Sequence, residues 1–339
     1  MSSSLLELEA RYRGESCAES AFLLLARDVP EAITRAGVVR PEDRLLVSTG
    51  QKDAFEERFP AESLLFVEGV ARTAFQGASM DCRARLGAAP GLELWLVPAI
   101  GGIGLDVPDV RALAEAAHAA GALLMVDITA PSGFGCRPLE AGADMSVERL
   151  CRAPGAQGGE VFALAIGRRA GRRRGAGSSS APADAVHRVI ERASASSRVL
   201  DADAIEFAEA ALDAQPSEMQ RRFDNARALA EYLSCHPGIP WTAYPGLKGH
   251  PCHGAAARTL RHGFGPIVDF QLPEHIPPAA FLARCDCAAD KVADEARTRL
   301  TVLDEEARYM RLIAGLNNPL DIADDLDQAH RWFRNPPEP

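Results

Sequence analysis

The chain has 339 residues, of which 47% are hydrophobic and 25% are charged, and its formal net charge is −10. This length allows a large buried core and predicts two domains, while the negative charge argues against general nucleic-acid binding. No apolar run is long enough for a membrane span and residues 1–10 lack a secretory signal, so we expect a cytoplasmic protein with eight reduced cysteines.

Short apolar runs that alternate with helical patterns predict an α/β fold. Strand patterns lie at 45–47, 63–67, 92–98, 122–126 and 161–166. A helical pattern at 109–120, ended by a glycine, lies between two of them. Strand, helix and strand within about forty residues form the parallel crossover unit, so the sheet should be mostly parallel.

The sequence predicts a large α/β domain at 1–213, followed at 214–339 by a long helix and a small C-terminal α/β domain. Residues 167–182 are rich in glycine, serine and arginine and predict a mobile surface loop in the large domain. The remaining elements are predicted as helices at 183–197, 203–234 and 321–334 and as strands at 267–272 and 310–314.

The segment that ends at Arg152 carries a family resemblance. An apolar run ends in Asp127 and is followed by Arg137-Pro-Leu-Glu-Ala-Gly-Ala-Asp-Met-Ser-Val-Glu-Arg-Leu-Cys-Arg152. Arg40-Pro-Glu-Asp, Tyr244-Pro-Gly and Met310-Arg-Leu-Ile-Ala-Gly-Leu extend the likeness in the same chain order. The chain resembles the pyridoxal-phosphate-dependent enzymes of Cys/Met metabolism, of the cystathionine γ-synthase and γ-lyase type. The resemblance implies the fold-type-I transferase architecture, with a mostly parallel sheet and a smaller α/β domain.

Two residues match functional positions of this family. Asp127 stands where a carboxylate pairs with the pyridine nitrogen of the cofactor, and Arg311 stands where the substrate α-carboxylate is bound. Each residue also has a structural interpretation. Asp127 can cap the turn after its strand, and Arg311 can pair with an acidic neighbour. We interpret both as vestigial.

The resemblance also shows what has been replaced. Arg152 stands where the family has the lysine that holds the cofactor as an imine, and a guanidinium cannot supply the neutral primary amine that an imine requires. The phosphate loop of the family falls on residues 27–30. There Asp28 would repel a phosphate, and Pro30 has no N–H to offer.

Further cofactor contacts of the family are missing. An asparagine near the cofactor becomes Gly101, and the hydroxyl residues before the lysine become Arg149 and Cys151. The chain has no tyrosine between Tyr12 and Tyr232 that could stack on the cofactor ring. We therefore expect no bound pyridoxal phosphate. No metal site is expected either, because the family has the histidines of the 250–253 segment without a metal, and Cys285-Asp-Cys287 lacks a second ligand pair at zinc spacing.

Arg149 and Arg152 should lie on the rim of the vacated pocket. A buried arginine needs a partner, and Asp28 and Asp127 are the candidates from the sequence. The alternative is an anion pocket built on the two arginines.

Three functions remain open from the sequence. The first is a pseudoenzyme with this fold, acting as a homo-oligomer or as the inactive subunit of a hetero-oligomer with a competent family member. The second is an active pyridoxal-phosphate lyase or transferase of transsulfuration. It would need an unaligned lysine, and Lys52 is the candidate in the large domain. The third is a repurposed binder of small anions or amino acids that uses Arg149, Arg152 and Arg311.

Overall fold

The computed structural model describes residues 4–40, 42–86, 91–152, 159–167, 181–196, 200–292 and 296–334. The chain divides into two compact units. Unit 1 comprises residues 1–99 and 107–215, and unit 2 comprises residues 100–106 and 216–339. Most of the predicted loop at 167–182 lies outside the described residues. Among the described helices, none has the length and apolar character that a membrane crossing requires.

Unit 1 is built on a sheet of seven strands. They are β1 (Ala18–Ala26), β2 (Arg44–Ser48), β3 (Leu64–Val67), β4 (Glu93–Pro98), β5 (Leu123–Asp127), β6 (Met145–Arg152) and β7 (Glu160–Gly167). Their order is β1-β7-β6-β5-β4-β2-β3. The run from β6 to β3 is parallel, whereas β7 is antiparallel to both of its neighbours. The sheet is therefore mostly parallel, as predicted.

The helices of unit 1 are α1 (Leu5–Glu15), α2 (Val29–Arg35), α3 (Lys52–Glu56), α4 (Arg72–Leu86), α5 (Val110–Ala119), α6 (Ser132–Gly135), α7 (Pro138–Ala141) and α8 (Ala181–Ala195). The helix α5 shows why these segments are helical. Asp109 caps its start by accepting from the N–H of Ala112, and Gly121 follows its end with a positive φ of 71°. The buried side chains of α5, such as Val110 and Leu113, recur at helical spacing.

A long helix, α9 (Ala202–Cys235), precedes the sheet of unit 2 in the chain. That sheet has four antiparallel strands in the order β10-β11-β9-β8, with β8 (Trp241–Ala243), β9 (Ile267–Gln271), β10 (Arg299–Asp304) and β11 (Tyr309–Ile313). Its helices are α10 (His253–Thr259), α11 (Pro278–Leu282) and α12 (Pro319–Arg334). Burial alternates along β11, where Met310 and Leu312 face the core, so Arg311 lies on the opposite face of the sheet.

Candidate functional site

Asp127 ends β5 at the carboxyl edge of the sheet in unit 1. Its Oδ2 accepts a hydrogen bond of 2.7 Å from Nε2 of Gln51, which follows β2 at the same edge. Its Oδ1 accepts a bond of 2.9 Å from the N–H of Thr129, which is the turn-capping contact considered from the sequence. Burial raises the pKa of Asp127, and the hydrogen bonds from Thr129 and Gln51 oppose that rise. The carboxylate is thus engaged by the chain itself.

Gln51 is a site residue that the sequence analysis missed. It directs its amide N–H at Asp127, and its own Oε1 is buried with no hydrogen-bond partner among the described residues. The next residue, Lys52, is half exposed. Its Nζ lies 3.4 Å from Oε1 of Glu56 and 5.8 Å from the centre of the Phe66 ring. The amine of Lys52 is therefore engaged by a carboxylate on its own helix.

Arg149 lies on β6 and bonds to the neighbouring strand β7. Its Nη1 donates to Oε1 of Glu160 at 2.8 Å, and its backbone N–H donates to Oγ1 of Thr129 at 3.2 Å. The positive charge of Arg149 also opposes the rise in the pKa of Asp127 that burial causes. The sequence analysis did not identify Glu160 as the partner of Arg149.

Arg152 ends the same strand and stands in the register opposite Glu160. Its side chain is 62% exposed, and its Nη2 lies 4.0 Å from the Oε1 of Glu160 that Arg149 also contacts. Two arginines therefore share one carboxylate at the end of β6. An ion pair with a side chain this exposed contributes little to stability.

Asp28, which the sequence analysis aligned with the phosphate loop of the family, is the N-cap of α2. Its Oδ1 accepts from the N–H of Glu31 at 2.8 Å, and Pro30 occupies the first turn. Its Oδ2 accepts from Nη2 of Arg58 at 2.7 Å and from Nε at 3.1 Å. The expected pairing of Asp28 with Arg149 or Arg152 is therefore wrong, because Arg58 is its partner. The start of α2 is capped by a carboxylate of the chain itself.

Arg311 lies on β11 of unit 2, directly opposite Asp269 on β9. Its Nε donates to Oδ1 of Asp269 and its Nη2 donates to Oδ2, both at 2.8 Å. Its Nη2 also donates to the carbonyl oxygen of Gly102 at 2.6 Å. The acidic neighbour considered from the sequence is thus present, as a bidentate pair.

Glu148 is a buried acid that the sequence analysis did not single out. It lies on β6, its side chain is fully buried, and its Oε2 accepts from the N–H of Gly133 at 2.8 Å. Burial raises the pKa of Glu148 to about 7, although the nearby hydroxyl of Tyr12 and the Gly133 N–H lower it in part. Neither Oε1 of Glu148 nor the hydroxyl of Tyr12 reaches hydrogen-bond geometry with any described partner.

A family model and several known proteins match this chain. The model of the family described as Cys/Met metabolism PLP-dependent enzymes matches residues 78–152 and 216–289. An inferred cystathionine gamma-lyase of Streptomyces coelicolor is 30% identical over 253 residues, which cover 73% of this chain and 61% of the relative. A homocysteine synthase of Schizosaccharomyces pombe is 27% identical over 274 residues, which cover 69% of this chain and 63% of the relative. The chain spans about three fifths of the length of these relatives.

Solved structures share the architecture. A methionine gamma lyase from Micromonospora echinospora superposes with a TM-score of 0.74 at 24% identity, covering 96% of this chain and 84% of that chain. A cystathionine gamma-lyase from Lactobacillus plantarum, complexed with L-serine, gives the same TM-score at 17% identity, covering 96% and 86%. These likenesses confirm the predicted fold-type-I α/β architecture. The family model and the sequence relatives show that the chain belongs to the Cys/Met-metabolism family of PLP-dependent enzymes.

Proposed function

We propose that this chain is a non-catalytic member of its family. It would act as a homo-oligomer or as the inactive partner subunit of a family member that has the lysine. The proposal rests on Arg152, which the family resemblance aligns with the lysine position and whose guanidinium shares Glu160 with Arg149. A guanidinium stays protonated in proteins and cannot form the imine on which the chemistry of the family depends.

The surrounding residues of unit 1 do not fit a bound pyridoxal phosphate. Asp127 accepts from Gln51 at Oδ2 and from a backbone N–H at Oδ1, but its carboxylate keeps further lone pairs for a ring nitrogen, so the misfit lies at the phosphate position. A phosphate at the start of α2 would meet the carboxylate of Asp28, which caps the helix and pairs with Arg58. Like charges at such close range repel strongly in a partly buried site. This misfit supports our proposal that no cofactor is held, and we derive no reaction step through it.

The two alternative functions gain less support. An active lyase or transferase would need Lys52, whose amine pairs with Glu56 on the surface of α3. A small-anion binder built partly on Arg311 would need the fork of that guanidinium, which Asp269 fills. We therefore propose neither as the main function.

The cofactor proposal is tested by absorbance. Purified full-length protein is incubated with pyridoxal phosphate, reduced with borohydride in one aliquot, and dialysed. We expect no visible band after dialysis and no mass increase after reduction, whereas a lysine-bearing relative treated in the same way should show both. A retained visible band would show that the protein holds the cofactor, and a cofactor-sized mass increase after reduction would show an imine; either result would contradict the proposal.

The partner proposal needs a separate experiment. The chain is co-expressed with a lysine-bearing member of the family, and its molar mass is measured by light scattering alone and in the mixture. We expect a defined homo-oligomer or a defined mixed assembly. A monomer under both conditions would contradict the proposal.

A further inference from the structure

Residues 100–106 form a closed loop in unit 2. The N–H of Gly101 donates to the carbonyl of Asp106 at 3.0 Å, and the N–H of Asp106 donates back to the carbonyl of Gly101 at 2.7 Å. Between them, Gly102, Gly104 and Leu105 have φ values of 69°, 88° and 62°. This left-handed region favours glycine, so the turn relies on its two glycines, and Leu105 must be held there by its surroundings.

Three side chains of unit 2 hold this loop by its backbone. Arg311 donates from Nη2 to the carbonyl of Gly102 at 2.6 Å, and Asp269 accepts at Oδ2 from the N–H of Gly104 at 3.0 Å. His250 contacts the carbonyl of Gly104 through Nε2 at 2.7 Å. Its Nδ1 accepts from the N–H of Cys252, so Nε2 carries the proton and is the donor. The loop is thus held through one backbone N–H and two backbone carbonyl oxygens.

The pair between Arg311 and Asp269 has the geometry of a carboxylate-binding site. Nε and Nη2 of the guanidinium reach the two carboxylate oxygens at 2.8 Å each, which is the forked arrangement by which arginine recognises any free carboxylate. Asp269 is 0% exposed, while the side chain of Arg311 is 20% exposed. A fully buried carboxylate that lost this partner would keep an uncompensated charge, so a ligand from solution cannot readily displace Asp269.

We propose that Arg311 and Asp269 form a carboxylate site that the chain fills with its own side chain. In the native protein this internal carboxylate excludes free carboxylates from Arg311. The same ion pair fastens the loop 100–106, because each partner also bonds to its backbone. The proposal concerns unit 2 alone and stands or falls independently of cofactor binding in unit 1.

The test is chemical rescue with formate, which is the carboxylate group without a side chain. In full-length Asp269→Ala, the thermal unfolding midpoint should fall, and sodium formate should restore it in a saturable manner. Sodium chloride at the same ionic strength should not. The double variant Asp269→Ala with Arg311→Met is the matched control and should show no response to formate. A folded Asp269→Ala protein that formate does not stabilise would overturn the proposal.

The wild-type protein supplies a second measurement that does not depend on the folding of a variant. The Nε–H resonance of Arg311, assigned by its loss in Arg311→Met, is followed by NMR while formate is added. We expect no shift beyond the one that chloride causes, because Asp269 already occupies the fork. A saturable shift specific to formate would show that Arg311 accepts free carboxylates, and the internal-ligand assignment would be wrong.

Discussion

Glu148→Gln should make the stability of the protein less dependent on pH. Burial raises the pKa of Glu148 from the ordinary value of 4.5 to about 7. Because the pKa in the folded state lies above that in the unfolded state, the folded protein binds this proton more tightly. The resulting stability is fully present below about pH 4.5 and is lost as the pH rises through about 7. At about 1.4 kcal/mol for each pKa unit, the difference between 4.5 and about 7 amounts to about 3 kcal/mol.

The assay is urea denaturation of the wild type and of Glu148→Gln, near pH 5 and near pH 8.5. The glutamine is neutral at both values and keeps an acceptor for the N–H of Gly133, which bonds to Glu148 in the native protein. We expect the difference between the two free energies of unfolding, variant minus wild type, to increase by up to about 3 kcal/mol when the pH rises from near 5 to near 8.5. Exposed Glu206 on α9 provides the control Glu206→Gln, which should leave the pH profile unchanged. Parallel profiles for the wild type and Glu148→Gln would refute the reasoning.

Three further substitutions test the charged contacts. Asp28→Ala removes the N-cap of α2 and the partner of Arg58, and should lower the free energy of unfolding by about 1–2 kcal/mol in urea, with Asp28→Asn recovering most of it. Arg192→Met leaves the carboxylate of Asp43 buried without its 3.2 Å ion pair and should lower the free energy of unfolding by about 3 kcal/mol. A loss under about 1 kcal/mol would mean that the backbone donors to Asp43 are enough to stabilise its charge. Arg152→Lys should show no visible absorbance band with pyridoxal phosphate, and a new band would contradict our account of the site.

The sequence predicted the buried parallel strands well, because they are covered on both faces and consist of apolar residues. The parallel strands β4 and β5 each lie within two residues of the predicted ranges, and so does the buried antiparallel strand β7. The strand β6 was not predicted as a strand, because Glu148, Arg149 and Arg152 interrupt its apolar pattern. Glu148 accepts from the N–H of Gly133 and Arg149 pairs with Glu160, and local periodicity carries no record of such partners.

The contacts of the candidate site residues could not be predicted from the sequence. Asp127 and Arg311 were recognised from motifs, but Gln51 is 76 residues from Asp127, and Asp269 is 42 residues from Arg311. Asp269 faces Arg311 because β9 and β11 pair in one particular antiparallel register. A shift of one residue in that register would turn the carboxylate to the other face of the sheet. Contacts of this kind follow from the three-dimensional fold and cannot be derived from motifs.

The pairing of Arg311 with buried Asp269 also constrains how descendants of this sequence can change. Replacing either residue alone leaves an unpaired charge inside unit 2 and destabilises the protein. The two residues are therefore expected to be replaced together. We expect homologous sequences to keep or lose this acid–base couple jointly. Arg311 could bind a carboxylate from solution only after Asp269 is replaced. That replacement is hindered because it would destabilise the fold. Once this ion pair has formed, its loss through single substitutions is therefore disfavoured.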